Sequence, residues 1–181
     1  MSQLRTYQRN VARSISVDVE ETNLQPVSIP EAKGYARVDV NAEDDIFDII
    51  ISSALADFEN FTGKLFFKRT VTARFESEGF ALLILPYLPV VEVTSVQKDS
   101  EDVEYELKGD RIEVDSQGEI EVVYECGLFE DASAIDKQAK LGMMKYITSN
   151  FEDRQDVAAM GMGQMPNGSR QHWMRYKNFS L

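Results

Sequence analysis

The sequence is poor in the residues that form covalent cross-links and that catalyse acid–base reactions. Its 181 residues include one cysteine, one histidine and one tryptophan. Cys126 has no partner in the chain, so disulfides within the subunit are excluded, and we expect it to be buried as a small apolar side chain. His172 is the only residue available for imidazole-assisted nucleophilic catalysis, and no folded cleft is predicted around it. The composition therefore disfavours an enzyme.

Long apolar runs are also missing. No stretch of about twenty apolar residues is present, so no transmembrane helix is predicted and no membrane partner is expected. Residues 1–13 are polar and basic, without the apolar stretch of a secretory signal. With 43% hydrophobic residues, the chain has enough apolar surface for its own core without metals or disulfides. We expect a soluble protein that is made in a cytoplasm.

Basic residues are few, and they are unevenly distributed. The formal charge is −12, from 19 basic and 31 acidic residues. Six of the basic residues lie in acid-free ends; without them, residues 14–156 have 13 basic residues against 31 acidic ones, a charge of −18. Such a body repels nucleic acid, whereas the basic ends suit an acidic protein surface, including a second copy of this chain. The basic residues at the ends are Arg5, Arg9, Arg13, Arg170, Arg175 and Lys177.

Capping residues predict where two helices begin. Ser28 with Glu31 three residues later is typical of a capping box. Asn41 is a favourable cap for a second, longer helix, and Gly63 is a natural stop for it. A third helix is predicted after Ser133. We expect the three helices at about 29–38, 43–62 and 134–153.

The second and third predicted helices have apolar residues three or four positions apart, which is typical of helices that bury one face. Asp136, three residues after Ser133, completes the capping signal of the third helix. We therefore predict one helical core that contains Phe47, Ile51, Phe58, Ile135, Met143 and Ile147.

Between the second and third helices, the apolar period changes from about 3.6 to 2, which is typical of strands. Lys108-Gly109-Asp110 lies between two short segments of alternating apolar residues and predicts a hairpin. The strands are expected at 67–75, 81–85, 91–97, 103–107, 111–114 and 118–126. The predicted fold class is α+β, with a three-helix core, an inserted and mainly antiparallel sheet at about 64–126, and extended termini.

Carboxylates alternate along the predicted strands, so those two positions apart share a face. We expect an acidic face that points to solvent and binds no DNA. The acids at 99–106 lack the ligand spacing and central glycine of an EF-hand loop, so neither a metal nor a cofactor is predicted. A pair of carboxylates that catalyses hydrolysis stays open as a less favoured alternative. The acidic face consists of Glu104, Glu106, Glu113, Asp115, Glu119 and Glu121.

The last 27 residues differ from the rest of the chain. Glycine, proline and small residues at 158–169 break regular structure. Aromatic and basic residues follow, a combination that is common where a protein docks on a partner. We expect residues 155–181 to be an extended arm that is flexible in the free subunit and becomes ordered on docking. The candidate docking residues are Arg170, Trp173, Arg175, Tyr176 and Phe179.

Four blocks of short motifs follow one another at 26–154. The first is Pro26-Val-Ser-Ile-Pro-Glu-Ala-Lys33 with Arg37-Val-Asp39, and the second is Asp44-Asp45 through Glu59-Asn-Phe-Thr-Gly-Lys64. The other two are Leu85-Pro86, Pro89-Val90 and Val93-Thr-Ser-Val96, and then Gln138-Ala139 through Phe151-Glu-Asp-Arg154. In their order and spacing, these blocks resemble the head-tail connector, or adaptor, proteins of tailed double-stranded DNA bacteriophages; the first resembles the opening helix of that family, and the second resembles its second helix and the step after it.

The sequence departs from the family pattern at two places. Ala132-Ser133 stands where a proline is usual before the last helix, and Lys64 stands where arginine is commoner. The resemblance implies a connector domain at 26–154, between a basic arm at 1–25 and a docking arm at 155–181. No motif of the family matches the tail, so its docking role depends on position and composition alone.

The resemblance implies a structural protein of the virion neck, assembled in the host cytoplasm. Such proteins form a homo-oligomeric ring, usually a dodecamer, between the portal protein and the stopper or tail protein, and DNA passes through the ring without specific binding. A different interpretation is an acidic DNA mimic that inhibits a nuclease. Gel filtration separates these interpretations. A ring former elutes as a high-order oligomer, whereas a DNA mimic or a small hydrolase elutes as a monomer or dimer.

Overall fold

The computed structural model describes residues 10–39, 41–152 and 168–177. The chain forms two compact units. The helical unit contains Thr22–Lys68 and the described residues from Leu128 onward; the sheet unit contains Arg69–Gly127 and the described residues before Thr22. The α+β class is confirmed, and five of the seven described strands lie in sequence between the second and third helices.

Helix α1 (Ile29–Ala36) begins at the predicted capping box. The N–H of Glu31 donates to Ser28 Oγ (3.4 Å), and the N–H of Ser28 donates to Glu31 Oε2 (3.0 Å). These bonds satisfy two of the backbone groups that a helix start leaves unpaired. The helix stops at Arg37, which has the left-handed conformation with φ 57°. It therefore ends two residues before the predicted boundary.

Helix α2 (Asp44–Thr62) starts one residue after the predicted boundary, but its predicted cap is wrong. Asn41 begins a short 3-10 turn, Asn41–Glu43, and the residue before the helix is Glu43, which makes no side-chain cap bond. Asp44 and Asp45 in the first turn place negative charge at the positive end of the helix dipole. At the other end, Gly63 adopts φ 69°, so the predicted stop is confirmed.

Helix α3 (Lys137–Glu152) starts three residues later than predicted. Asp136, rather than Ser133, caps it: its Oδ1 accepts hydrogen bonds from the N–H groups of Gln138 (2.8 Å) and Ala139 (3.0 Å). Ser133 instead belongs to a turn in which Asp131 accepts its N–H. A fourth helix, α4 (Gly168–Trp173), is followed by a 3-10 turn, Met174–Tyr176.

The predicted helical core is confirmed. Phe47, Ile51, Phe58, Met143 and Ile147 are fully buried in one cluster, and Ile135 packs against it while partly exposed. The cluster also contains side chains that the sequence did not assign to it, chiefly Val27, Phe66, Phe67, Trp173 and Tyr176.

Two long strands form the centre of the sheet. β3 (Arg69–Ile84) and β7 (Arg111–Cys126) pair antiparallel over their full length of 16 residues. The strands β1 (Asn10–Val11) and β2 (Arg13–Val19) lie beside β3, and β1 is parallel to it. The strands β4 (Val90–Lys98) and β6 (Tyr105–Lys108) lie beside β7, and β5 (Glu101–Asp102) pairs with β4.

The sequence divided each of the two long strands into two. Gly79 (φ 133°) faces Ser116, and Gly118 (φ 116°) faces Ser77, so the apolar alternation stops in the middle of the ribbon. Backbone pairing continues through these residues because glycine tolerates the positive φ that a local distortion requires. The predicted hairpin at Gly109 is confirmed by the pairing of Lys108 with Arg111.

Residues 10–19 differ from the prediction, since they were expected within an N-terminal arm. They form β1 and β2, and β2 covers the edge of β3 from Val71 to Glu76. The alternating sequence Ser14-Ile-Ser-Val-Asp-Val19 is compatible with this strand, and the pairing protects an edge that would otherwise be open.

One face of the β3–β7 ribbon is buried, and Cys126 lies on it as expected. No helix in the described ranges is long and apolar enough to cross a membrane. The buried residues of β3 and β7 on this face are Val71, Ala73, Phe75, Ser77, Ala81, Leu83, Ile112, Val114, Ile120, Val122, Tyr124 and Cys126.

The Glu31 carboxylate connects α1 to α3 and predicts an acid-dependent loss of stability. Lys140 Nζ lies 2.6 Å from Glu31 Oε1. The hydrogen bond from Lys140 is the largest cause, and the bonds from Ser28 come next; together they lower the pKa of Glu31 from 4.5 to about 2. Because the folded state keeps this carboxylate charged, Glu31 contributes fully to the free energy of unfolding above about pH 4.5. This contribution is lost as the pH falls towards 2.

We expect urea unfolding at pH 2 to 6 to show this loss in the wild type and a smaller loss in Glu31→Gln. Glu152→Gln, at an exposed position at the end of α3, is the matched control and should follow the wild type. Equal pH dependence in all three proteins would contradict the assignment.

Candidate functional site

The C-terminal segment, defined as residues 168–177, packs on α2 and α3 of its own chain. Trp173 is fully buried there. Its ring meets Phe58 nearly edge-on, with 5.4 Å between centroids, and stacks on Tyr146 at 5.9 Å. Tyr176 is 9% exposed, and its ring lies 5.5 Å from that of Phe58. Two aromatic anchors thus hold the segment.

Gly142 of α3 provides the space for Trp173. A Cβ atom at this position would lie 2.3 Å from Trp173 Nε1 and 2.8 Å from Trp173 Cδ1. Any larger residue would therefore collide with a rigid ring that is fully buried. Glycine in a helix interior costs about 0.5–1 kcal/mol relative to alanine, and here the close approach of the indole ring offsets that cost.

Polar contacts surround the two anchors. Arg170 Nη2 lies 2.9 Å from Asp57 Oδ1, and the Tyr176 hydroxyl donates to Asp136 Oδ2. Burial raises the pKa of Asp136, but the bonds from Tyr176 and from the N–H groups of Ala139 and Gln138 outweigh it and hold the pKa below its ordinary value. Burial and the acceptor Asp136 both raise the pKa of Tyr176. The pair is thus a hydroxyl donating to a carboxylate.

His172 fastens the segment to α3 through both ring nitrogens. Its Nε2 lies 2.9 Å from Lys145 Nζ, and its Nδ1 lies 2.8 Å from Gln138 Oε1. An ammonium group can only donate, so Nε2 accepts from Lys145 and Nδ1 carries the proton that Gln138 accepts. The only histidine of the chain therefore helps to hold the C-terminal segment on α3 of the same chain.

The structure differs from the flexible, extended arm that the sequence predicted. Residues 168–177 are helical and packed on the same chain, because Trp173 and Tyr176 bury more apolar surface there than an exposed arm would. Of the other candidate docking residues, Arg170 and Arg175 remain exposed, and Phe179 lies outside the described residues. Docking of these residues on a partner stays a prediction.

The receiving residues, chiefly Asp57, Asp136, Gln138, Gly142 and Lys145, were not found from the sequence. Gly142 did carry a signal, since a glycine inside a strongly predicted helix requires a packing reason. The others are ordinary polar residues on helix surfaces, and only the fold brings them to the segment.

The acidic face is the second candidate site. The register of β7 places the odd-numbered residues from Glu113 to Glu121 on the face opposite the buried one. Glu106 of β6 pairs with Glu113, and Glu104 immediately precedes β6. Five of the six predicted residues thus lie together at this face, and Glu104 is next to it in sequence. Glu113, whose side chain is 13% exposed, is the most covered of those in ion pairs.

Two basic side chains each bridge several of these carboxylates. Arg74 contacts Glu121 (2.8 Å), Asp18 (3.3 Å) and Glu119 (3.9 Å). Lys108 contacts Glu113 (2.8 Å) and Glu106 (3.0 Å). The hydrogen bonds to Glu121 and Glu113 are the main causes that raise the pKa of Arg74 and of Lys108, respectively.

The face nevertheless keeps an excess of negative charge. Glu76 and Glu78 of β3 add two carboxylates to those of β6 and β7, and the basic residues of this face are Arg74, Lys108 and Arg111. The carboxylates therefore outnumber the basic side chains. Among the described residues, no group of three or more His, Cys, Asp or Glu side chains could hold a metal ion.

Solved structures of gene transfer agent particles share this fold over most of the chain. A chain in the neck of an empty particle, computed with C6 symmetry, is 18% identical with a TM-score of 0.71. A chain of the virion of a native particle is 20% identical with a TM-score of 0.68. A chain in the neck of a native particle, computed with C12 symmetry, is 20% identical with a TM-score of 0.66.

Each of these likenesses covers 92% of this chain and 97% of the other chain. The sequence matches no protein-family model and no curated protein. At 18–20% identity, the likeness establishes the fold. The sequence resemblance to connector proteins is therefore confirmed as a resemblance of fold to neck proteins of phage-like particles.

Gly142→Ala should expel Trp173 from its site, since the added methyl group collides with a rigid ring. Overpacking typically costs about 1–3 kcal/mol. Because Trp173 is the only tryptophan, its fluorescence reports the site directly, and the emission should shift to the red. Gly34→Ala is the matched control: it lies in α1 with no atom within 4 Å of the new Cβ, so the emission should not change. Unchanged emission in Gly142→Ala would contradict the assigned packing.

Proposed function

We propose that this chain is a structural virion protein, a head-tail adaptor that forms a ring between a portal and the stopper or tail protein and leaves a channel for DNA. The observation that carries the proposal is the shared fold with chains in the necks of gene transfer agent particles over 92% of the sequence. The symmetry of those necks, C6 and C12, supports a ring of identical copies.

In this proposal, the charges of the molecule have two uses. The acidic face points to solvent or to the channel, where its excess charge repels the phosphates of passing DNA. The C-terminal segment docks on the portal or on a neighbouring copy. Trp173 and Tyr176 give the segment its shape, and the exposed Arg170 and Arg175 are available to a partner. Neither use involves catalysis or a cofactor.

An acidic DNA mimic is the second candidate, and the charge of −18 on residues 14–156 favours it. A mimic needs no ring and no basic docking segment. The two functions therefore differ in the number of copies that assemble and in whether a portal binds them.

We expect the purified protein, mixed with portal rings, to add one coaxial ring of density under the electron microscope. Removal of residues 168–177 should abolish this ring, because the segment supplies the exposed basic residues and completes the helical core. Portal rings that stay bare with the wild-type chain, while gel filtration shows only monomers or dimers, would contradict the adaptor and favour the mimic.

The acidic face should prevent DNA binding. In filter binding at moderate salt, the wild-type protein should not retain duplex DNA, whereas Glu104→Gln, Asp115→Asn and Glu119→Gln combined should show weak retention. The matched control neutralises three exposed acids of the helical unit, Asp39, Glu130 and Glu152, with the same change in net charge. Equal retention by the two triple variants would show that net charge, rather than this face, is responsible. Tight binding by the wild type would contradict the proposal.

A further inference from the structure

Two exposed patches of the helical unit have opposite charge, and each surrounds an exposed apolar side chain. The α2 patch consists of Asp45, Ile46, Asp48 and Ile49 near the start of α2. Ile49 is 69% exposed, more than any other large apolar side chain in the described ranges. Asp45 and Asp48 are exposed on either side of it.

The C-terminal patch consists of Met174, Arg175 and Lys177 on the outer side of the C-terminal segment. Met174 is 45% exposed, and the two basic residues beside it are exposed as well. Contacts within the chain hold the patch in place. Lys177 Nζ lies 4.9 Å from the Phe61 ring centroid, and Tyr176, which lies between the two basic residues in sequence, is buried. Its shape therefore exists before any partner binds.

The two patches cannot meet within one copy. Lys177 lies over Phe61, which is twelve residues beyond Ile49 in the same helix, a distance of about 18 Å. Opposite charges around apolar centres favour contact between one copy and the next, with Met174 as an adaptable apolar residue. Because the two surfaces differ, such a contact is head-to-tail, and repetition closes a ring when the rotation permits.

We infer that the α2 patch of one copy binds the C-terminal patch of the next copy, and that this contact builds the ring of the proposed function, on which the inference rests. The occupant of each patch is thus a second copy of this chain. The exposed isoleucine and methionine are covered in the assembly, and the charges select the direction of the contact.

Charge reversal with mixing tests this contact. One variant carries Asp45→Lys and Asp48→Lys, and the other carries Arg175→Glu and Lys177→Glu. Each alone should sediment as single copies at concentrations where the wild type is oligomeric, because like charges then face each other. An equimolar mixture should recover the assembly, because each reversed patch meets its complement. Glu101→Lys with Asp102→Lys, on β5 of the sheet unit, is the matched control and should assemble like the wild type.

Cysteine trapping keeps the test informative if a reversal disturbs folding. A chain with both Ile49→Cys and Met174→Cys should form a ladder of disulfide-linked multimers under mild oxidation. Tyr35→Cys with Met174→Cys, also at exposed positions, should not. A wild-type ring that neither reversal weakens, or equal ladders from both cysteine pairs, would overturn the patch assignment while leaving the ring intact. A wild-type chain that stays single, alone and with portal rings, would overturn the ring itself.

Discussion

The helical unit depends on the burial of Phe58. Its ring lies within 5.5 Å of the rings of Phe66, Trp173 and Tyr176, which belong to parts of the chain on both sides of the inserted sheet. Aromatic side chains bury large apolar areas and prefer the edge-on geometry found here. Trp173 and Tyr176 in this cluster help to fix the positions of the exposed basic residues of the C-terminal segment.

The sheet unit has a different constraint, because it concentrates carboxylates on one face of the strands β3, β6 and β7. Like charges directly opposite each other destabilise a sheet, and Glu76 faces Glu119 while Glu106 faces Glu113. Arg74 and Lys108 reduce this repulsion by bridging neighbouring carboxylates. The face can therefore stay strongly acidic while the ribbon stays paired.

Local signals predicted the features that depend on neighbouring residues. The capping box at Ser28, the stop at Gly63, the hairpin at Gly109 and the helical core were all readable because a few adjacent residues determine them. Two of the failures have long-range causes. Gly79 and Gly118 interrupted the apolar pattern, although pairing across the ribbon continues through them. The site of Trp173 was missed because the residues that receive it come from helices more than 25 positions away.

The chain order of the helical unit has a consequence for synthesis. Proteins are made from the N-terminus, so β7 is complete, and the sheet unit can pair its strands, while Trp173 has yet to be added. Until then Phe58 lacks the indole ring that covers it, and the C-terminal patch does not exist. In the proposed ring, a nascent or prematurely terminated chain therefore presents no finished surface for the next copy. Competence for the proposed contact arises only after α4 and the turn that follows it have been translated, so incomplete subunits cannot extend the proposed ring.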